Sequence, residues 1–296
     1  MKSIWAAAGE KAFDILNIAV MILLSFITLY PLYYILINSL NDSMDAMKGG
    51  IYFFIRKFSV ESYIYFFQDR EIASAFAVTI GRTVIGTVFS VFFTAMFSYS
   101  MSKSYLIGRK YAVIFMIIPM YLSGGLIPYY LIVRSLGLIG KFAVLIIPTL
   151  FTTFNAMILI TNFKGIPKEL EESAKIDGAN DFTIFIRIII PVSTAVLATI
   201  ALFNAVVHWQ SWFDATIFGG NKFQTLQSIL TRVIRTSQIE NSTAIKEAGE
   251  QLFNKRTTTQ SLVVTAMVVT TLPIVFIYPF LQKYFVKGIM VGSLKG

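Results

Sequence analysis

The sequence predicts an all-α integral membrane protein with six transmembrane helices, and three observations lead to this fold class. Of the 296 residues, 56% are hydrophobic and 14% are charged, whereas about 25% are charged in an average soluble domain. The apolar residues form long runs, and about 20 residues of helix suffice to cross a bilayer. A polar stretch rich in carboxylates separates two of these runs. We therefore expect membrane spans joined by a structured loop.

The first part of the chain is expected to hold one span between two polar segments. Residues 1–12 form a short head, and residues 13–37 form the first span, which Pro31 should kink near its far end. The apolar run is too long for a signal peptide and lacks a following cleavage site, so we expect it to stay attached. Residues 39–72 are polar and aromatic-rich, and we place them outside the membrane. A short surface helix with Ser59 as its cap is expected there.

Five further apolar runs complete a predicted transmembrane domain of residues 13–285. These spans are expected at residues 74–101, 111–127, 142–163, 188–209 and 261–284. Pro273 and Pro279 should break the last of them. Residues 214–258 are expected to form an external loop, with a helical piece near residues 244–253.

The segments between and after the spans suggest a topology. An even number of spans puts both chain ends on one side of the membrane, together with the loop of residues 164–187 and the short basic tail of residues 286–296. The distribution of lysine and arginine supports a cytoplasmic placement of that side only weakly.

The polar loop of residues 164–187 carries closely spaced structural signals. Pro167 disfavours the α conformation in the residue before it and suits the first position of a new helix. Gly178 follows about three turns later and can adopt a left-handed C-cap. Asn180 can cap a second helix, and Pro191 constrains the backbone where that helix enters the membrane. These signals predict a short surface helix, a glycine turn and a second helix leading into the next span.

One face of this short helix is suited to docking a partner. Leu170, Ser173, Ala174 and Asp177 recur at the three- and four-residue spacing that places side chains together. Two of them are small, which allows close approach to the backbone. The alternative is an ordinary amphipathic helix lying on the membrane surface.

The spacing of the loop distinguishes between these alternatives. Glu172, Ser173 and Ala174 are followed after three residues by Gly178, and after nine more by the segment 188–191, Ile-Ile-Ile-Pro. This pattern resembles the "EAA" loop of ABC-importer permeases, with serine for the middle alanine and isoleucine for leucine as departures. In that family the loop forms a coupling helix that sits in a groove of the ATP-hydrolysing subunit. The resemblance assigns coupling to Leu170, Glu172, Ser173, Ala174, Asp177, Gly178 and Pro191.

The resemblance extends over nearly the whole chain. Residues 123–128, 278–288 and 292–296 are similar to carbohydrate-importer permeases of the maltose-permease superfamily, in the oligosaccharide branch and of the second-subunit type. It implies a type I ABC-importer fold in a bacterial cytoplasmic membrane, with both termini cytoplasmic. The implied partners are a homologous permease, two ATP-binding subunits that hold ATP and magnesium, an extracytoplasmic solute-binding protein and membrane lipid. No cofactor is expected on this chain, and the tail can reach the ATPase interface.

Several polar and aromatic residues are candidates for the substrate pathway or for contact with the binding protein. They are Arg82, Asn155, Asn204, Trp209 and Trp212. Arg82 is expected either to extend its charge toward the membrane surface or to face the pathway or a partner subunit. The two tryptophans suit interfacial anchors and could also stack on a sugar or touch a delivering protein.

Composition excludes several other functions. The chain has no cysteine and one histidine, so thiolate chemistry, cysteine metal sites and histidine clusters are excluded. It lacks a phosphate-binding loop, and we expect no enzymatic activity. The net charge of +9 is better explained by cations flanking the spans than by nucleic-acid binding.

Two alternative functions remain open from the sequence. One is an ABC permease for a peptide, a polyamine or phosphate. The other is an ion-driven secondary transporter, which should carry acidic residues inside its spans. Arg82 and the basic balance also allow an acidic oligosaccharide as the cargo.

Overall fold

The computed structural model describes residues 2–122, 124–240 and 258–293, and these residues are predominantly helical. In chain order the helices are α1 Lys2–Ser39, α2 Ser43–Ala46, α3 Glu61–Gln68, α4 Arg70–Ser102, α5 Arg109–Tyr121, α6 Leu126–Ser135, α7 Thr153–Lys164, α8 Lys168–Ile176, α9 Asp181–Ile184, α10 Ile190–Val192, α11 Thr194–Gln210, α12 Phe213–Phe218, α13 Leu226–Glu240 and α14 Thr259–Ser293. Short 3-10 turns at Phe142–Leu145 and Ile147–Thr149 precede α7, and a π-helical turn at Phe185–Ile189 joins α9 to α10.

Three of the described helices are long and apolar enough to cross a membrane. They comprise Phe13–Ser39, Arg70–Ser102 and Gln260–Ile277. Two bent pairs would raise the number to five if each pair is one span: Phe142–Thr149 with Thr153–Lys164, and Asp181–Val192 with Thr194–Gln210. The third predicted span, residues 111–127, is represented by the 13-residue α5, which is short for a bilayer. Six spans therefore stay a prediction.

The fifth predicted span differs from expectation at its start. We expected one helix from residue 188 to residue 209, but the pieces on either side of Ser193 meet at 86°. A π-helical turn and Pro191 precede this bend, and both disturb the regular helical hydrogen-bond pattern. The apolar helix α11 therefore begins at Thr194, six residues later than predicted.

Both ends of the chain are more helical than the sequence suggested. The predicted head of residues 1–12 continues the helix of the first span from Lys2 onward. Pro273 and Pro279 do not end α14, which runs through most of the predicted tail to Ser293, because neighbouring groups can compensate for proline in a membrane helix. Residues 294–296 and the predicted helical piece at 244–253 lie outside the described residues.

The chain divides into two units, the first of which comprises residues 1–69 and 232–272. The apolar side chains of the α1 span are exposed in the single chain, as expected of a helix that faces lipid or another subunit. The predicted external segment folds against the end of this helix. There, the Asn41 side-chain oxygen accepts hydrogen bonds from the backbone of Arg56 and Lys57, both at 3.0 Å. Ser59 accepts a hydrogen bond from the Glu61 N–H at the start of α3, although the N-cap position is Val60 and not the predicted Ser59.

The second unit, residues 70–231 and 273–296, is built on the packing of α4 against α7 and α11. Its main core contains Tyr99 of α4, Phe163 of α7 and Phe185 of the π-helical turn. The Tyr99 ring centroid lies 5.4 Å from that of Phe185 and 6.4 Å from that of Phe163. This core therefore attaches the predicted coupling loop to α4, α7 and α11.

Gly86 of α4 faces a side chain of α11 at very short range. A Cβ atom on this glycine would lie 2.6 Å from the ring of His208, which is buried. Nε2 of His208 lies 3.4 Å from Oγ of Ser90. The histidine thus packs as a structural residue between the two helices.

We expect Gly86→Ala to destabilise the protein by about 1–3 kcal/mol, because the added methyl group must displace a buried ring. Gly81→Ala is the matched control on the same helix, since its Cβ would lie at an ordinary 3.5 Å from Phe142. It should be neutral or stabilising, because alanine favours helix more than glycine does. Thermal unfolding of the two variants in detergent checks this. Equal midpoints would contradict the close packing at Gly86.

Candidate functional site

The candidate site is α8, the predicted coupling helix, with the turn that follows it. Pro167 lies at the N-cap, with ψ of 131°, one position earlier than the predicted first helical residue. Gly178 has φ of 81°, as its predicted role in a left-handed turn requires. Asn180 caps the next helix by accepting a hydrogen bond from the Thr183 N–H at 2.8 Å. The predicted order of helix, turn and second helix is therefore present.

The four residues of the predicted docking face do not share the same exposure in the structure. Ala174 is half-buried and packs on the core of the second unit, whereas Leu170, Ser173 and Asp177 are exposed. Ile176 is 86% exposed and lies opposite Ala174 on the helix. The predicted face of Leu170, Ser173, Ala174 and Asp177 therefore does not point outward as a whole. A large apolar residue on the otherwise polar side of a short helix is the sequence signal by which Ile176 could have been found.

A buried ionic contact attaches the coupling helix to α4. The Lys103 ammonium forms a salt bridge with the Glu171 carboxylate, and it also lies 3.9 Å from the centroid of the Tyr99 ring. Both charged side chains are largely buried, with 12% and 16% exposed. Since Lys103 directly follows α4, a movement of α8 can pass directly to that helix. Neither Lys103 nor Glu171 was among the residues to which the sequence assigned coupling.

A second ion pair joins the two helices of the loop. Nζ of Lys175 lies 3.1 Å from Oδ1 of Asp181, and this hydrogen bond raises the pKa of Lys175 above its ordinary value. The two side chains are about half exposed, so the contribution of the pair to stability is expected to be small.

Arg82 adopts neither of its predicted arrangements in this chain. Its side chain is fully buried, and Nη2 lies 2.8 Å from Oδ2 of Asp214. Nη1 donates to the Ser211 carbonyl oxygen at 3.3 Å. The guanidinium therefore binds the turn after α11 instead of reaching the membrane surface or facing an open pathway. Asp214 was not among the predicted site residues, because it is distant from Arg82 in the sequence.

The other candidate pathway residues occupy different surroundings. Asn155 and Asn204 are buried, and the Asn204 amide donates to the Ile200 carbonyl oxygen within its own helix at 2.9 Å. Trp209 is buried and meets Phe76 edge to face. Trp212 is partly exposed and packs on Phe213. Among these, Trp212 presents the most accessible aromatic surface.

Comparisons with known proteins identify relatives of this chain. Residues 86–291 match the family described as "Binding-protein-dependent transport system inner membrane component". Protein LplC of Bacillus subtilis is 36% identical over 287 residues, which cover 97% of this chain and 96% of that protein. The polygalacturonan/rhamnogalacturonan transport system permease protein YtcP of the same organism is 33% identical, with 97% and 99% covered.

A solved structure extends the similarity to the fold. A chain of a bacterial ABC transporter involved in the import of the acidic polysaccharide alginate aligns with a TM-score of 0.84 and 28% identity, covering 94% of this chain and 98% of that one. This confirms the predicted all-α permease fold and the resemblance to carbohydrate-importer permeases. The chain belongs to the family of inner membrane components of binding-protein-dependent transport systems.

Proposed function

We propose that the chain is the permease subunit of an ATP-driven importer that moves a carbohydrate into the cytoplasm. The observation that carries this proposal is the coupling helix, with an exposed apolar residue on one face and a buried ionic attachment to α4 on the other. Ile176 and Leu170 offer apolar contacts to a groove of an ATP-binding subunit. Lys103 and Glu171 then couple its movement to the membrane helices.

The proposed mechanism is mechanical. When ATP closes the partner subunits, α8 moves with them, and the helices shift between outward-facing and inward-facing arrangements. The equilibrium between the two arrangements depends only on the contacts that differ between them. ATP and magnesium are held by the partner subunits, and this chain contributes no catalytic group.

The proposed assembly has four kinds of component. This chain pairs with a homologous permease, two ATP-binding subunits dock on the cytosolic loops, and an extracytoplasmic solute-binding protein delivers the cargo. The description of the family as binding-protein-dependent supports the last of these. We place the assembly in a bacterial cytoplasmic membrane, with both termini of this chain cytoplasmic.

We further propose an acidic oligosaccharide as the cargo. The names of two similar proteins refer to polygalacturonan and to alginate, and both polymers are acidic. These names favour a sugar over a peptide, polyamine or phosphate, and the family membership disfavours the ion-driven alternative. Arg82 is already neutralised by Asp214, so it is a poor candidate for binding the sugar's charge. Trp212 is better placed to stack on a sugar ring.

Reconstitution of the assembled importer tests this function. We expect the ATPase rate to rise when the solute-binding protein is loaded with an oligogalacturonate and to stay low with the unloaded protein. A neutral oligosaccharide of the same length separates acidic from general sugar recognition. An ATPase rate that is indifferent to every loaded sugar would contradict carbohydrate import.

The salt bridge between Lys103 and Glu171 gives a separate prediction. We expect Lys103→Glu or Glu171→Lys alone to lower uptake by about tenfold or more, since a lost charged hydrogen bond of 1.5–3 kcal/mol corresponds to about that factor. The double exchange should restore part of the uptake, because the attraction is rebuilt in reverse. Lys175→Gln is the control and should have little effect, as its ion pair is half exposed. Uptake of a radiolabelled oligosaccharide by cells measures all four variants, and failure of the double exchange to recover would argue against this attachment.

A further inference from the structure

A groove of about 650 Å³ lies between the beginning of α5 and the end of α7. One part of its wall is apolar and is formed by Val113, Ile114, Met157 and Ile160. The other part carries the cations Arg109, Lys110 and Lys164. Because these cations lie at the ends of helices whose next turns are apolar, the groove has a charged mouth and a hydrophobic floor.

The cations at this mouth form no salt bridge with any of the residues that the structure describes. α5 begins with Arg109 and Lys110 and has no acidic residue in its first turn. Cations at this end oppose the positive pole of the helix dipole. Its N-cap, Gly108, offers no side-chain acceptor to the free backbone N–H groups. An anion placed here would therefore relieve an unfavourable concentration of positive charge.

We propose that this groove binds an anionic glycerophospholipid, with its phosphate headgroup at Arg109, Lys110 and Lys164 and an acyl chain along the apolar wall. Basic clusters beside membrane helices attract anionic lipid headgroups. The apolar wall favours a lipid over a soluble phosphate, since it offers surface that only a hydrocarbon chain would cover. The lipid comes from the cytosolic leaflet, and only this choice of leaflet rests on the proposed function.

The position of the groove connects the lipid to the coupling helix. A neighbouring cavity of about 590 Å³ is lined by the inner side of α8, including Glu171 and Lys175. Arg109 and Lys164 line both spaces. A headgroup bound by these two cations therefore lies next to the contacts that hold α8, and it would alter the charge that they experience.

Lipid binding to the purified, delipidated importer tests the proposal without ATP or sugar. Native mass spectrometry compares the retention of phosphatidylglycerol with that of phosphatidylcholine. We expect the wild type to prefer phosphatidylglycerol. The variant Arg109→Gln/Lys110→Gln/Lys164→Gln should bind it on the order of 100-fold more weakly, given the contribution of each cation near an anionic headgroup. The control Arg134→Gln/Lys141→Gln/Lys222→Gln removes three exposed cations elsewhere and should leave binding unchanged.

Two further measurements keep the outcome unambiguous. The charge-conserving variant Arg109→Lys/Lys164→Arg should keep the preference, which separates loss of charge from misfolding. Inorganic phosphate should not displace the lipid, and displacement by phosphate would overturn the lipid assignment. An equal loss of phosphatidylglycerol from the site variant and its control would overturn the proposal as well. Because the assay involves no transport, its failure leaves the proposed import function untouched.

Discussion

Replacing Gly178 with valine is expected to abolish uptake while the protein still inserts into the membrane, whereas asparagine at this position should preserve most of the uptake. Gly178 has φ of 81°, a conformation that costs an L-amino acid roughly 1–2 kcal/mol. It is least tolerated by β-branched residues and best tolerated by asparagine. Nothing lies within 4 Å of a Cβ atom built there, so the difference between the two variants comes from the backbone alone. Valine should therefore change the direction in which the chain leaves α8.

Sugar uptake by cells, normalised to the amount of subunit in isolated membranes, measures this effect. Gly140→Val is the control, because Gly140 has a similar φ of 71° and equally open surroundings but lies far along the chain from α8. Normal uptake by the Gly178→Val variant would show that the turn does not direct the coupling helix.

Removing one partner of the buried Arg82–Asp214 pair should cause the largest loss of stability. Arg82→Met leaves the Asp214 carboxylate buried without its counter-ion, and such a change costs about 3–5 kcal/mol. The double variant Arg82→Met/Asp214→Leu should recover much of this loss, because replacement of a whole buried pair by apolar residues is often neutral. Thermal unfolding in detergent and the yield of monodisperse protein report the effect.

The same variants separate a structural from a substrate-binding role for Arg82. If the double variant is stable and still imports sugar, the pair serves the fold. Stability of Arg82→Met equal to that of the wild type would instead show that the charge is not buried as described, and an arginine extending to the membrane surface would then explain it better.

The coupling helix could be predicted closely because its limits are set by local backbone chemistry. Pro167 and Gly178 act on their immediate neighbours, and Asn180 caps the helix that begins at the next residue by accepting a hydrogen bond from the Thr183 N–H. The attachment of that helix could not be predicted in the same way. Lys103 and Glu171 are separated by 68 positions and Arg82 and Asp214 by 132, so these pairs form only when the helices pack.

The path of the fifth span exposes a second limit of sequence reasoning. Hydrophobicity indicates that a run is buried in lipid or protein, but it does not give the direction of its axis. The run of residues 188–209 is predominantly apolar, and its hydrophobicity gave no sign of the bend at Ser193. The prolines of α14 led to the opposite error, because a break was predicted where the helix continues. A proline does not break a membrane helix when neighbouring groups compensate for it.

The 86° angle at Ser193 also has a consequence for the size of the movement. The arm before it, Asp181–Val192, is about 18 Å long at the helical rise per residue, and the 17-residue α11 is about 25 Å long. If Ser193 acts as a fixed pivot between two rigid arms, a displacement of the free end of the short arm within the plane of the two arms tilts the long arm, whose far end then travels about 1.4 times as far. An elbow of this kind would convert a small push along the axis of α11 into a larger swing of its far end perpendicular to that axis.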